Sequence, residues 1–148
     1  MAQIEGHVKA RISTGDAAVN GLFNGLLGGV AMAAVIVIFS LLGGQGLGYL
    51  GNFSAGAPVL PLLGLVMHLA VSSIYGMLYG LVRRWTRLER LTWLPAWLAG
   101  LVYALVLWVF AVVVLLPAAQ SLILTLPWVV FFTGHIAYGL VLGSRQKP

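Results

Sequence analysis

Polar and apolar positions in this chain separate on a scale far longer than a helical turn. Residues 17–82 and 91–144 contain no Asp, Glu, Lys or Arg. Each stretch is long enough to cross a bilayer twice, since one span needs about 20 apolar residues. The apolar runs within them predict transmembrane helices at 19–42, 59–82, 94–116 and 122–143. The expected fold class is therefore all-α: a polytopic membrane protein with four transmembrane helices, forming a single domain over residues 1–148. Residues 1–18 precede the first span as a polar tail. Ser13-Thr14-Gly15-Asp16 has the spacing of a capping box, so a helix should begin just ahead of the first span. Residues 4–12 carry a small apolar face that suits the membrane surface.

Composition removes the soluble alternatives. Of 148 residues, 61% are hydrophobic and 7% charged, and mean hydropathy is +1.03; soluble domains carry about 25% charged residues. The lack of Cys excludes a disulfide scaffold and a thiolate metal site. A net charge of +5 would suit nucleic acid, but the placement of the charges argues against that partner. The basic residues are Lys9 and Arg11, then Arg83, Arg84, Arg87 and Arg90, then Arg145 and Lys147. They lie in the tails and central loop, whereas the loops after the first and third spans carry none. The positive-inside rule then puts both termini and the central loop in the cytoplasm (N-in/C-in). Trp85 and Trp93 fall at that face and Tyr49 and Trp128 at the other, as an aromatic belt requires. The polar start and long first run do not read as a cleavable signal. Ala2 stands where myristoylation needs glycine.

The two halves also correspond. Tyr75-Gly76 with Gly80 and Tyr138-Gly139 with Gly143 both read Y-G-x-x-x-G near the cytoplasmic end. Gly21, Gly25, Gly29 and Ala33 are spaced by four, as are Ala96, Gly100 and Ala104. Small residues at that spacing let helices approach closely in lipid. The packing set is thus Gly21, Gly25, Gly29, Gly76, Gly80, Gly100, Gly139 and Gly143. Because both halves start in the cytoplasm, the expected arrangement is a parallel two-helix internal repeat. The glycine-rich first span, Met67-His68, Leu94-Pro95 and Gly134-His135-Ile136-Ala137-Tyr138-Gly139 together resemble small prokaryotic four-helix inner-membrane proteins of unknown function, the YagU-like relatives. That resemblance implies a four-helix fold in a bacterial cytoplasmic (inner) membrane and brings no activity with it.

The candidate chemistry rests on two intramembrane histidines, His68 and His135. Ionisable residues inside spans are functional candidates by default. Counting from Pro58 puts His68 roughly 15 Å below the outer surface, and counting from Ser144 puts His135 roughly 14 Å from the inner one. Superposing the Y-G-x-x-x-G motifs matches His135 with Ser72, so the imidazoles should share a face, offset by about one turn of 5.4 Å. Three roles are open: interhelical hydrogen bonding to Ser72, Ser73, Thr133 or a carbonyl; axial ligation of haem b or chlorophyll; or a proton relay or quinone-site hydrogen bond. The offset counts against bis-His haem.

Tyr75, Tyr79, Tyr103 and Tyr138 can line the same interior, with Tyr79 and Tyr138 also placed as interfacial anchors. Asn20 and Asn24 suggest an interhelical hydrogen-bond pair. Gly46-Leu47-Gly48-Tyr49-Leu50-Gly51 matches the dinucleotide fingerprint G-x-G-x-x-G but lacks its strand–helix setting. Asn52-Phe53-Ser54 is a formal glycosylation acceptor only in a eukaryotic host. With no intramembrane acid, no Ser/His/Asp set and no metal motif, the expected protein is not an enzyme. The leading expectation is an accessory subunit of a larger electron-transfer membrane complex, with the bilayer and other membrane subunits as partners. The alternatives are a small homo-oligomeric transporter or channel, and a haem carrier using His68 and His135.

Since the chain has no native Cys, single cysteines report the orientation. An impermeant thiol reagent on intact cells should label Ser54→Cys and leave Arg87→Cys unmodified; the reverse pattern would invert the topology.

Overall fold

In the computed structural model the chain is all-α, described here over residues 13–44, 46–53, 59–86, 88 and 94–145. Helix α1 is Thr14–Leu42 and α2 is Pro61–Thr86. Helix α3 spans Ala96–Ala118: it is α-helical over Ala96–Phe110, widens into a π-helical turn at Ala111–Leu115 and closes with Leu116–Ala118. Helix α4 is Trp128–Ser144. Two 3-10 turns, Leu47–Phe53 and Leu122–Thr125, lie at the end of the molecule away from the arginines. By length and composition α1, α2 and α3 can each cross a membrane, while α4 is apolar but shorter, at 17 residues.

The ends follow local chemistry. Ser13 caps α1: its hydroxyl accepts from the Asp16 N–H, and its own N–H and hydroxyl donate to the Asp16 carboxylate at 3.0 and 2.8 Å. The anticipated capping box is therefore present, and the helix begins at Thr14, just ahead of the span expected from 19. The Ser13 bonds hold the Asp16 carboxyl below the usual carboxylate range. Its contribution to the cap is thus complete above the unfolded pKa and is lost as pH falls through the lowered one. Helix α2 opens on Pro61, which lacks the N–H that a first turn leaves unpaired, and continues past 82 through Arg83 and Arg84.

The fourth helix departs from the expected span at 122–143. Leu122–Thr125 is a separate turn, Leu126 is extended (ψ 144°) ahead of Pro127, and α4 starts at Trp128. Proline disfavours the helical region for the residue before it, which splits the apolar run there. Pro117 has a milder effect on α3. Its ring would crowd the carbonyl of Val113, four residues back. The backbone widens over Ala111–Leu115 instead, with the Leu116 N–H reaching Ala111 O.

Packing is arranged around α1 and α4. Helix α1 lies along α2, α3 along α4, and α1 against α4, whereas α2 and α3 have little direct packing. Glycine makes the first two contacts. A Cβ added at Gly76 would meet Gly21 O and Gly25 Cα, and one at Gly80 would meet Ala17 O and Gly21 Cα. In the other pair, a Cβ at Gly139 would meet Gly100 O and the Ala104 methyl, and one at Gly143 would meet Ala96 O and Trp97 Cα. Gly21, Gly25, Gly29, Gly100 and the four Y-G-x-x-x-G glycines are all buried at these interfaces, as expected. Between α1 and α4 the fit uses side chains: Tyr138 lies over Gly28, and Met32 and Ile36 lie over Gly134.

Large apolar side chains point outward instead, among them Phe23, Ile38, Leu62, Val106 and Trp128. Trp85 and Trp128 are exposed at opposite ends. Tyr79, however, is only 2% exposed, and its ring meets that of Tyr103 at 5.0 Å, so it is a core residue rather than an interfacial anchor. Tyr138 is buried as well. The buried Arg83 guanidinium lies 5.8 Å from the Tyr79 ring centroid, within cation–π range. Among the described residues neither Asn20 nor Asn24 makes a hydrogen bond, and Asn20 is exposed, so the expected pair does not form. The 46–51 glycine motif lies on a 3-10 turn following a helix, away from any strand. Lys9, Arg11, Ser54, Arg87, Arg90, Trp93, Lys147 and the surface segment 4–12 lie outside the described residues.

These contacts leave no room for a methyl group. Gly80→Ala and Gly143→Ala should each lower stability in detergent by about 1–3 kcal/mol, the usual cost of overpacking. Gly48→Ala, which meets nothing within 4 Å, should leave the unfolding midpoint unchanged. Equal tolerance at all three positions would show that the glycine contacts do not hold the helices.

Candidate functional site

The gap between α2 and α3 is a cavity of about 160 Å³. Its walls are His68, Val71, Ser72 and Tyr75 of α2, Leu107, Ala111, Leu115 and Leu116 of α3, Phe131, His135 and Tyr138 of α4, and Met32 of α1. Phe53 and Ile123 close it from the two 3-10 turns. Both sequence-predicted histidines therefore reach one site, together with two of the four tyrosines. Tyr79 and Tyr103 do not line it; their rings pack on each other at a tilt of 43°.

Each imidazole is fixed by a main-chain carbonyl. His68 Nε2 is 3.1 Å from Gly29 O, and His135 Nδ1 is 2.9 Å from Phe131 O. The interhelical carbonyl bond expected of these rings forms at His68, which reaches across to α1, whereas His135 turns back on its own helix. Ser73 and Thr133, both expected as partners, donate instead to carbonyls one turn back, Leu69 O and Val129 O. A carbonyl only accepts, so the bonded nitrogen carries the proton in each ring. A neutral ring then has its lone pair on the other nitrogen, Nδ1 in His68 and Nε2 in His135. Neither has a hydrogen-bond partner among the described residues. No Asp or Glu lies in 17–82 or 91–144 to compensate an imidazolium, so the neutral form is the stable one in this apolar interior.

The rings are also held by aromatic contacts. Phe53 stacks on His68 with centroids 4.5 Å apart, and Phe131 meets His135 edge-on at 4.5 Å. Tyr138 OH donates to Ser72 O at 2.9 Å, and Tyr103 OH donates to Tyr75 O at 2.8 Å, tying α4 and α3 to α2 around the site. Gly29 serves twice. It lets Ser72 approach, since a Cβ there would lie 2.6 Å from Ser72 Cβ, and it leaves its carbonyl open to His68. The π-helical turn forms the opposite wall at Ala111 and Leu115; such turns recur at functional sites. Phe53, Ile123 and the turn were not singled out from sequence, although Pro117 inside an apolar run is the signal that marks the turn.

A macrocycle does not fit this site. A cavity of about 150 Å³ accommodates benzene, whereas a porphyrin or chlorin joins four five-membered rings around a metal. The residues present thus do not suit axial ligation of haem b or chlorophyll. Among the described residues no group of three or more His, Asp or Glu side chains comes together to hold a metal ion. Comparisons with protein-family models, curated proteins and solved structures return no match.

The Tyr138 bond can be tested alone. Tyr138→Phe keeps the ring over Gly28 and removes the donor to Ser72 O. It should cost about 0.6 kcal/mol in a detergent unfolding assay, the average for intramembrane hydrogen bonds. A loss several times larger would mean that the hydroxyl also organises the neighbouring imidazoles.

Proposed function

We propose that this is a four-span protein of a bacterial inner membrane, N-in and C-in, acting as a non-catalytic accessory subunit that holds a small ligand within the bilayer. The observation that carries this reading is the convergence of His68 and His135, each with an unpaired ring nitrogen, on one cavity. Val71 and Leu115 line that cavity while being 49% and 37% exposed, so it opens on the apolar flank between α2 and α3. That flank faces lipid in a bilayer.

Several features support the four-span topology. Every Lys and Arg lies in the tails or the central segment. Helix α4 is about 26 Å long at 1.5 Å per residue, and the apolar Leu122–Thr125 turn precedes it. The internal repeat is supported by matching contacts. Ala17, Gly21 and Gly25 meet Gly76 and Gly80 in the same order as Ala96, Gly100 and Ala104 meet Gly139 and Gly143. The accessory role is supported by the small interior and by the exposed Val102, Val106, Val109 and Val113 along α3, a surface open to lipid or to another membrane subunit.

Filling the cavity tests the reading. Protein extracted in mild detergent should carry a stoichiometric small apolar molecule, detectable by mass spectrometry after solvent extraction. Ala111→Phe, which projects a ring into the cavity, should lose that molecule while keeping its helical circular dichroism. The same content in both proteins, or none in either, would overturn the ligand-holding role.

A further inference from the structure

We propose that the ligand of this cavity is a single aromatic ring bearing two hydroxyl donors, the hydroquinone head group of a lipid-soluble quinol, bound between His68 Nδ1 and His135 Nε2. The inference rests on reading the cavity as a ligand site and adds the chemistry of the ligand. Size is the first argument: about 160 Å³ is room for one six-membered ring with small substituents. Polarity is the second. With each imidazole N–H committed to a carbonyl, the histidines can only accept, and His135 is a 7% exposed residue whose free nitrogen has no protein partner. A buried acceptor is satisfied by a ligand donor, and a site built on acceptors rejects an analogue without donors.

Shape and charge narrow the class further. Phe53, Phe131, Tyr75 and Tyr138 supply aromatic walls, which favour a flat ring. The absence of Asp and Glu from 17–82 and 91–144 disfavours a cationic amine, which would need a counter-charge. The opening beside Val71 and Leu115 lets an isoprenoid or alkyl tail run out along the apolar flank while the head group stays inside. A quinone has carbonyl acceptors where the quinol has donors, so the site should prefer the reduced form.

Para-xylene, para-cresol and hydroquinone have nearly the same shape and carry none, one and two hydroxyl donors. Their binding to the detergent-solubilised full chain is measured by equilibrium dialysis and corrected for partition into protein-free micelles. Hydroquinone should bind tightest and para-xylene weakest, by about fivefold per donor, the yield of one net hydrogen bond. His68→Leu and His135→Leu should each weaken hydroquinone at least about fivefold and leave para-xylene unchanged. Should either variant fail to fold, the unsubstituted protein still decides. 1,4-Dimethoxybenzene keeps both oxygens without a donor, and it should bind more weakly than hydroquinone. If all probes bind equally well, or if the substitutions affect para-xylene and hydroquinone alike, the donor-recognition inference is wrong while the cavity reading stands. If no probe binds, the cavity reading itself fails.

Discussion

The constraint on which this structure depends is the contact of helix backbones at glycine. Gly76 lies so close to Gly21 and Gly25, and Gly100 so close to Gly139 and Gly143, that a single added carbon would strike main-chain atoms. In lipid, burying an apolar side chain between helices gains little, because the acyl chains are equally apolar; close packing and hydrogen bonds must hold the helices together. Small and polar residues therefore take a share of the interior, beside the buried Ile36, Tyr79 and Leu142. Glycine fills the α1–α2 and α3–α4 seams, and Ser72 and His135 are buried while Phe23, Leu62 and Val106 face outward.

The cavity follows from those seams. Two tightly zipped hairpins meet mainly through α1 and α4, where Tyr138, Met32 and Ile36 hold the backbones further apart. That leaves α2 and α3 facing each other without a seam of their own. The space between them is closed at one end by the Tyr103 bond to Tyr75 O and by the Tyr79–Tyr103 ring pair. At the other end Phe53 and Ile123 cover it. The turns that carry them are joined by Tyr49 OH to Thr125 Oγ1 at 3.1 Å. Since the Thr125 proton is already given to Leu122 O, Tyr49 is the donor. The π-helical turn before Pro117 belongs to the same wall, so backbone irregularity is concentrated where α3 has no partner helix to keep it regular.

Much of this was legible in the chain, and what was not has identifiable causes. The glycine seams were readable because a four-residue spacing survives any uncertainty in helix ends. The shared face of His68 and His135 was readable for the same reason, through the Y-G-x-x-x-G correspondence. Their partners were not, because a carbonyl acceptor leaves no mark in a side-chain pattern; the Gly29 carbonyl is open to His68 only because a neighbouring seam is made of glycine. The start of α4 was misplaced because hydropathy runs unbroken through Pro127, and only the restriction on Leu126 separates turn from helix. Asn20 and Asn24 suggested a polar contact by spacing alone, yet neither makes a hydrogen bond among the described residues.

The two histidines differ in what restrains them. The His68 bond crosses from α2 to α1, so any slide along the Gly25–Gly76 seam moves its ring relative to Gly29 O. The His135 bond lies within α4, so its ring travels with that helix whatever the others do. A slide of α2 along α1 would therefore shift the His68 ring and leave the His135 ring in place, altering the distance between them without altering either tautomer. Glycine seams resist such a slide on both sides, because each small displacement brings a carbonyl against an α-carbon. The α1–α2 seam thereby fixes the place of the His68 ring, while the side-chain contacts between α1 and α4 set its distance from His135. In that sense Gly25, Gly29 and Gly76 govern the placement of the His68 ring as much as its own hydrogen bond does.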